Sequence, residues 1–361
     1  MNNPIVIDGS QGEGGGQMLR TSISMSAITG RAIHVVNIRA NRQSPGLKRQ
    51  HLTCVRAAAT ICGASVTGDA IHATEITFAP GPIQAGSYRF EVGSAGSVTL
   101  VAQTVLPILL CADAPSEVTI VGGTHVPMSP SWDFFTRTYL PQLRAMGIDV
   151  EAKLKRYGFY PAGGGEVILK IQPWTTAKPL HLVERGATQG AWIIAKVAHL
   201  PINIASSEVA IIASELHHNT IGQVDHVEAS CPGNYCFLMA AYDHITEVFS
   251  EIGTHGKSRK AVANSVTQQA KPYLKARYAV DTHLSDQLLL PILLAAKRLE
   301  SPLWAHFTMP KAHSLHFDTN WSILQQFCEE ATMVEYPHPT CPQTSHILIG
   351  QKGVTHEMAT I

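Results

Sequence analysis

The residues best suited to chemistry lie near the C-terminal end, in Lys311-Ala-His313-Ser-Leu-His316-Phe-Asp318-Thr319-Asn320. A neutral imidazole is a competent nucleophile near neutral pH, because its ordinary pKa is about 6.5. The chain has 18 histidines, so most must be structural or on the surface. This stretch stands apart because a helix is expected just after it, over 321–327. Asp318 or Thr319 suits the N-cap of that helix. His316 then sits beside a helix N-terminus, where a phosphate can also be held. No G-x-S-x-G elbow and no catalytic-cysteine signature offers a competing nucleophile.

A second constellation opens the chain. Pro4-Ile-Val-Ile-Asp8 reads as a strand, Gly9-Ser-Gln-Gly12-Glu13-Gly14-Gly15-Gly16 as a turn, and a helical pattern follows from Gln17. Strand, glycine-rich loop and helix N-terminus together form an anion site. Glu13 is the one carboxylate within the loop, and a lone acid beside phosphates suits a hard cation such as Mg²⁺. Arg20 lies about a turn into the helix. No Lys follows the glycines, which weakens a Walker-loop reading. Counting G-x-G-x-x-G from Gly12 puts Gln17 where the third glycine belongs, which weakens a dinucleotide fingerprint.

Charge is distributed unevenly. The chain is neutral overall, yet no Asp or Glu occurs between Glu13 and Asp69. That span holds Arg20, Arg31, Arg39, Arg42, Lys48, Arg49 and Arg56. A single-sign zone of this size points to a phosphorylated ligand or a polyanion. Together, the glycine loop, the basic zone and the histidine support phosphate-ester or nucleotide chemistry without specifying a reaction.

The elements that must position these residues follow from pattern and repeats. With 361 residues, 45% hydrophobic and 15% charged, the chain is globular, with two or three domains expected. It shows no secretory signal at the N-terminus. The apolar stretch 98–112 contains Thr99, Gln103, Thr104 and Pro107 and reads as a buried helix, not a membrane span. The seven scattered cysteines include no C-x-x-C pair, so a reduced, cytoplasmic setting is expected.

Q-x-x-L-P-I-L-L occurs at Gln103 and again at Gln287, and Gln17 opens a comparable helix. The spacings, 86 and 184 residues, imply three repeats with about a hundred residues inserted in the third. Each repeat reads strand, helix, strand, helix and two strands, an α/β (α+β) class. Segments 33–36, 117–121 and 303–307 are the expected middle strands. The prolines at 107 and 291 should kink their helices or sit near the start. A large domain of 1–182 and 276–361 and a small inserted domain of 183–275 are expected. The insert carries the His217, His218 pair and ends in a helix through 261–269. Beyond Phe327 the tail reads as irregular, with a strand at 346–349.

The chain resembles the RNA 3′-terminal phosphate cyclase family, in its catalytic, bacterial form. The matching marks are Asp8-Gly-Ser-Gln-Gly-Glu-Gly-Gly-Gly-Gln17, Arg39-Ala-Asn-Arg42-Gln-Ser-Pro-Gly-Leu47, Gln50-His51, Gly93-Ser-Ala-Gly-Ser97, Arg156-Tyr-Gly-Phe-Tyr-Pro-Ala-Gly-Gly-Gly165, Ser285-Asp286-Gln287 and His316-x-x-Thr319. The family's repeats are related to those of enolpyruvyl transferases.

The resemblance implies ATP-dependent conversion of an RNA 3′-phosphate end into a 2′,3′-cyclic phosphate. A histidine takes AMP from ATP, passes it to the RNA 3′-phosphate, and the neighbouring O2′ then expels AMP. By position His316 is the implied nucleophile, not His313. Glu13 would hold Mg²⁺ or Mn²⁺. Arg20, Arg39, Arg42, Gln50 and His51 would clamp phosphates. Gln103, Pro130, His283, Leu284, Ser285, Asp286 and Gln287 would line the nucleotide pocket, with adenine against Pro130. His283 stands where the bacterial members carry Tyr, which implies altered base discrimination. RNA 3′-phosphate ends are the implied partner, and no membrane is. A homodimer is compatible with the sequence but nothing requires one. The alternatives are a non-catalytic RNA-processing scaffold, which would lack the histidine, or an enolpyruvyl-type transferase.

Overall fold

The computed structural model describes residues 3–360 apart from 217–219. The pair His217 and His218 therefore lies outside the described residues. The N-terminal unit runs β1 (Ile5–Asp8), α1 (Gly16–Thr29), β2 (Ile33–Val36), α2 (Arg49–Cys62), β3 (Ser65–Thr67) and β4 (Ile76–Ala79). Strands β1 and β2 pair in parallel, which demands a crossover such as α1. The sheet order is β1-β2-β4-β3.

The second unit repeats this plan. It runs β5 (Ser87–Glu91), α3 (Val98–Leu109) and β6 (Ser116–Gly122). Then come α4 (Trp132–Phe134) and α5 (Leu140–Ala145), joined by a π-helical turn at Phe135–Tyr139. Strands β7 (Val150–Arg156) and β8 (Gly165–Ile171) close a sheet ordered β5-β6-β8-β7.

The third unit opens with β9 (Leu180–Leu182) and is then interrupted. The interruption comprises β10 (Thr188–Ala198), α6 (Asn203–Leu216), β11 (Thr220–His226), β12 (Gly233–Tyr242), β13 (Thr246–Gly253) and α7 (Arg259–Lys275). It builds its own sheet, β11-β10-β12-β13, with its own apolar cluster. The third unit then resumes with α8 (Thr282–Ala295), β14 (Leu303–Pro310), α9 (Leu315–Gln325), β15 (Ala331–His338) and β16 (Cys341–Gln351). Its sheet, β9-β14-β16-β15, has the same order of first, second, fourth and third strand as the other two. The three-repeat α/β fold with an inserted smaller α/β part is thus present.

The repeat helices form the inner layer. Helix α1 packs on α2, α3 and α9, and α8 packs on α3 and α9. Helices α3 and α8 are buried on nearly every side, which explains their continuous apolar sequences. Helices α1, α2, α3, α4 and α9 open past the C-terminal ends of strands β1, β2, β5, β6 and β14 of their own sheets. In α/β sheets that end is where ligands bind. Among the described residues no helix is long and apolar enough to cross a membrane.

Three expectations are corrected, and one of two alternatives is decided. Helix α9 starts at Leu315, not near Trp321, because the Ser314 hydroxyl accepts the Phe317 N–H and caps it earlier. The tail beyond Phe327 is the β15–β16 hairpin; Pro337 is accommodated because β15 is an edge strand. Of the two placements expected for Pro107 and Pro291, the structure shows the one within the helix, in the second half of each. Gln17 is also not the counterpart of Gln103 and Gln287. Those two are the sixth residues of α3 and α8, whereas Gln17 is the second residue of α1 and Thr21 the sixth.

Candidate active site

Helix N-termini from two repeats meet around the first glycine loop. Asp8 Oδ1 accepts from the Ser10 N–H, the Ser10 hydroxyl and the Asn37 amide, closing the loop on its strand. Asn41 donates to the Ser10 carbonyl at 2.8 Å, and the Thr319 hydroxyl accepts the Glu13 N–H at 3.0 Å. The loop is thereby tied both to the segment after β2 and to α9. Gly15 and Gly16 leave room for neighbouring side chains: a Cβ on Gly15 would lie 2.2 Å from Glu13 Oε2, and one on Gly16 would lie 2.3 Å from His51 Nε2.

His316 is the second residue of α9 and faces this loop. Its side chain is 54% exposed, so a reactant can reach it. Nδ1 lies 2.8 Å from Gln17 Oε1 and 3.9 Å from Glu13 Oε2. Partial burial lowers its pKa; Glu13 opposes this, and Arg20, Arg42 and His283 reinforce it. The net shift favours the neutral ring, the form that nucleophilic use requires. His313 points elsewhere. Its nitrogens face Asp318 at 2.9 Å and Glu335 at 3.5 Å, and its ring packs edge-on against Phe317.

Glu13 is the buried acid of the site, with a side chain 4% exposed. Arg42 donates to its Oε2 at 2.6 Å. Its Oε1 is buried and has no hydrogen-bond partner among the described residues. One hard oxygen is thus free for a divalent cation whose other positions would be filled by phosphate oxygens and water.

The basic zone divides into distinct jobs. Arg42 binds Glu13, and the charges of Arg20 and Arg42 both act on His316. Arg39 has a positive φ of 55° and donates to the Ser44 and Gly46 carbonyls, so it braces the loop before α2. Arg49 bonds the Gly93 carbonyl, Arg56 pairs with Asp69, and Arg31 bonds the Gln326 carbonyl. His51 is buried, and burial with the charges of Arg20, Arg39 and Lys48 pulls its pKa down to about 3. Its Nδ1 accepts the Lys48 N–H, so its proton resides on Nε2, beside Gly16, where it can donate to an anion. Gln50 uses its Oε1 on the Ser97 N–H, joining α2 to the start of α3, and its NH₂ has no partner among the described residues.

The residues expected around a nucleotide come from α3, α8 and the segment before α4. Gln103 and Gln287 are hydrogen-bonded side chain to side chain, and Gln287 also bonds the His283 carbonyl. Pro130 is fixed through its carbonyl by the Thr99 hydroxyl. His283 is exposed at the start of α8. Asp286 is buried, and burial pushes its pKa up to about 7 against the opposing Gln17 hydrogen bond and the Arg20 charge. Leu284 and Ser285 require correction. Leu284 is fully buried in the apolar core, and the buried Ser285 bonds the Thr282 carbonyl. Neither offers a side chain to a ligand.

A family model for RNA 3′-terminal phosphate cyclase matches residues 11–334. The chain belongs to the RNA 3′-terminal phosphate cyclase family. An RNA 3′-terminal phosphate cyclase of Salmonella enteritidis is 44% identical over 326 residues, covering 90% of this chain and 93% of its own length. One of Ralstonia nicotianae is 44% identical over 325 residues, with 90% and 91% covered. One of Pseudomonas fluorescens is 44% identical over 316 residues, with 87% and 90% covered.

Sequence reasoning misses two residues that hold this family site together. Gln17 bridges His316 and Asp286, the latter at 2.5 Å, and Asn320 donates to the Asp286 carbonyl at 2.7 Å. The signal for Gln17 is its place immediately after the glycine loop, which the repeat pattern obscures.

Proposed function

We propose that this chain converts an RNA 3′-terminal phosphate into a 2′,3′-cyclic phosphodiester at the expense of ATP, with His316 as the covalent carrier of AMP. The observation that carries the reading is an accessible imidazole on the first turn of a helix, 3.9 Å from the Glu13 carboxylate that Arg42 binds. The names of the relatives support the overall reaction.

In the first step the His316 Nε2 lone pair attacks the α-phosphorus. A P–N bond forms, the P–O bond to pyrophosphate breaks, and pyrophosphate leaves with that electron pair. In the second, an oxygen of the RNA 3′-phosphate attacks the same phosphorus and the P–N bond returns its electrons to the imidazole. In the third, O2′ attacks the activated RNA phosphorus, loses its proton, and AMP departs. The adjacent hydroxyl has the proximity advantage of an intramolecular reaction. Arg20, Arg42 and the Nε2–H of His51 are the phosphate donors, Arg42 through a fork suited to bidentate binding. Pro130, His283, Gln103, Gln287 and Asp286 form the nucleotide wall. Glu13 Oε1 would hold Mg²⁺ or Mn²⁺, which neutralises phosphate charge when bound.

The test uses a 5′-labelled RNA bearing a 3′-phosphate. Wild-type protein with ATP and Mg²⁺ should render the end resistant to phosphatase, and omission of ATP or His316→Ala should abolish this. Folded wild-type protein that leaves the end phosphatase-sensitive would overturn the reading.

A further inference from the structure

We propose that Gln17 is the positioning residue of His316: its amide holds the ring as the Nδ1–H tautomer and keeps the Nε2 lone pair free for phosphorus. The proposal rests on the role of His316 given above. A half-exposed imidazole is free to rotate, and in water the Nε2–H form predominates, which would place a proton on the attacking atom. The structure opposes this with a 2.8 Å contact between Nδ1 and Gln17 Oε1. The alternative acceptor, Glu13 Oε2, is 3.9 Å away and is already bound by Arg42 at 2.6 Å.

The amide cannot serve if it turns over, because its NH₂ would then meet Nδ1 and select the wrong tautomer. Its orientation is set from behind. Gln17 Nε2 donates to Asp286 Oδ2 at 2.5 Å. Asn320 holds the Asp286 carbonyl, and the Thr21 hydroxyl donates to Asn320 Oδ1 at 2.7 Å. A hydrogen-bonded chain therefore runs from the buried Thr21, Asn320 and Asp286 through Gln17 to His316, joining α1 to α8 and α9. A neutral amide also suits the place better than a carboxylate. A second acid beside Glu13 would favour the imidazolium, which has no lone pair on Nε2.

This predicts how substitutions at one remove from the reacting atoms behave. Gln17→Met keeps length and loses both hydrogen bonds. The rate of His316 adenylylation should fall at least about tenfold, with the roughly 10⁴-fold cost of a wrong tautomer in a serine-protease triad as upper bound. The KM for ATP should change little. Gln17→Glu alone sets two carboxylates against each other and should also fail. Adding Asp286→Asn reverses the pair: the new amide on α8 donates to the new carboxylate on α1, which accepts from Nδ1. The double variant should recover part of the loss, and only toward higher pH, because the new carboxylate also favours the imidazolium.

The decisive measurement is ¹⁵N NMR of the full chain labelled at histidine, with His316 assigned by the His316→Ala variant. Wild-type protein without ATP should carry the His316 proton on Nδ1, and Gln17→Met should move population to Nε2–H. A wild-type ring protonated on Nε2, or a Gln17→Met protein that adenylylates at the wild-type rate, would overturn the assignment. The two readings fail separately. Adenylylation that survives His316→Ala removes the nucleophile, whatever the tautomer. Adenylylation lost in His316→Ala but untouched in Gln17→Met removes only Gln17.

Discussion

Replacing Gly15 by Ala tests the metal and phosphate end of the site with one methyl group. Gly15 has φ −117° and ψ −157°, extended backbone that alanine adopts without strain. The new Cβ would lie 2.2 Å from Glu13 Oε2, 2.6 Å from Oε1 and 2.7 Å from Arg42 Nη2. These atoms end flexible side chains, so they move and the backbone stays. The carboxylate must shift by about 1 Å to reach ordinary contact distance, which breaks the 2.6 Å bond to Arg42. A hydrogen bond between charged groups contributes about 1.5–3 kcal/mol. Arg42 is 42% exposed, so solvent screening favours the lower end. A loss of about 1.5–2 kcal/mol corresponds to a rate roughly 10- to 30-fold lower. The helix cap should cost a further ~1 kcal/mol of stability, because alanine is a poor N-cap. Single-turnover adenylylation across a Mg²⁺ titration, with a parallel denaturant melt, reads both quantities. The rate should fall and the metal midpoint rise while the protein stays folded. An unchanged rate and midpoint would refute the arrangement of Glu13, Arg42 and the cation.

Three further outcomes follow from the structure. Burial raises Glu208 to about 7, and its Oε1 has no partner among the described residues. A raised carboxyl contributes stability that is present below its unfolded pKa and lost as pH rises through about 7. Glu208→Gln should therefore stabilise the protein at pH 8 relative to pH 5, by about 2 kcal/mol; urea melts at the two pH values check this, and an equal effect at both would count against it. Leu284→Ala should cost about 2–5 kcal/mol as a core cavity, whereas the exposed His283→Ala should leave the melt unchanged and raise the KM for ATP. RNA binding should weaken as salt rises, and Arg42→Ala should flatten that salt slope; filter binding across a salt series measures it, and an unaltered slope would place Arg42 away from the RNA.

What can be read from sequence is whatever local pattern determines. The repeated Q-x-x-L-P-I-L-L marks α3 and α8 correctly, because two helices buried on all sides must both be continuously apolar. The gap between them marks the insert because it is far longer than one repeat. The glycine loop announces a turn and an acid, but not which side chains its missing Cβ atoms make room for. His316 stands out by type and place, yet the pattern starts its helix too late. Ser314, not Asp318, wins the cap, and Asp318 is engaged with His313. The seven basic residues look alike in sequence. Only tertiary structure shows that Arg39, Arg49 and Arg31 hold backbone carbonyls while Arg20 and Arg42 face the site. Gln17 is illegible because its partners His316 and Asp286 are about three hundred residues away in the chain.

The most direct test of the account requires no RNA. Purified protein is incubated with ATP labelled at the α-phosphate and Mg²⁺ or Mn²⁺, denatured, and examined for retained label. The account predicts label that survives base, is released by acid, and is absent in His316→Ala. Retention of the same label by His316→Ala, or no label on folded wild-type protein, would contradict it.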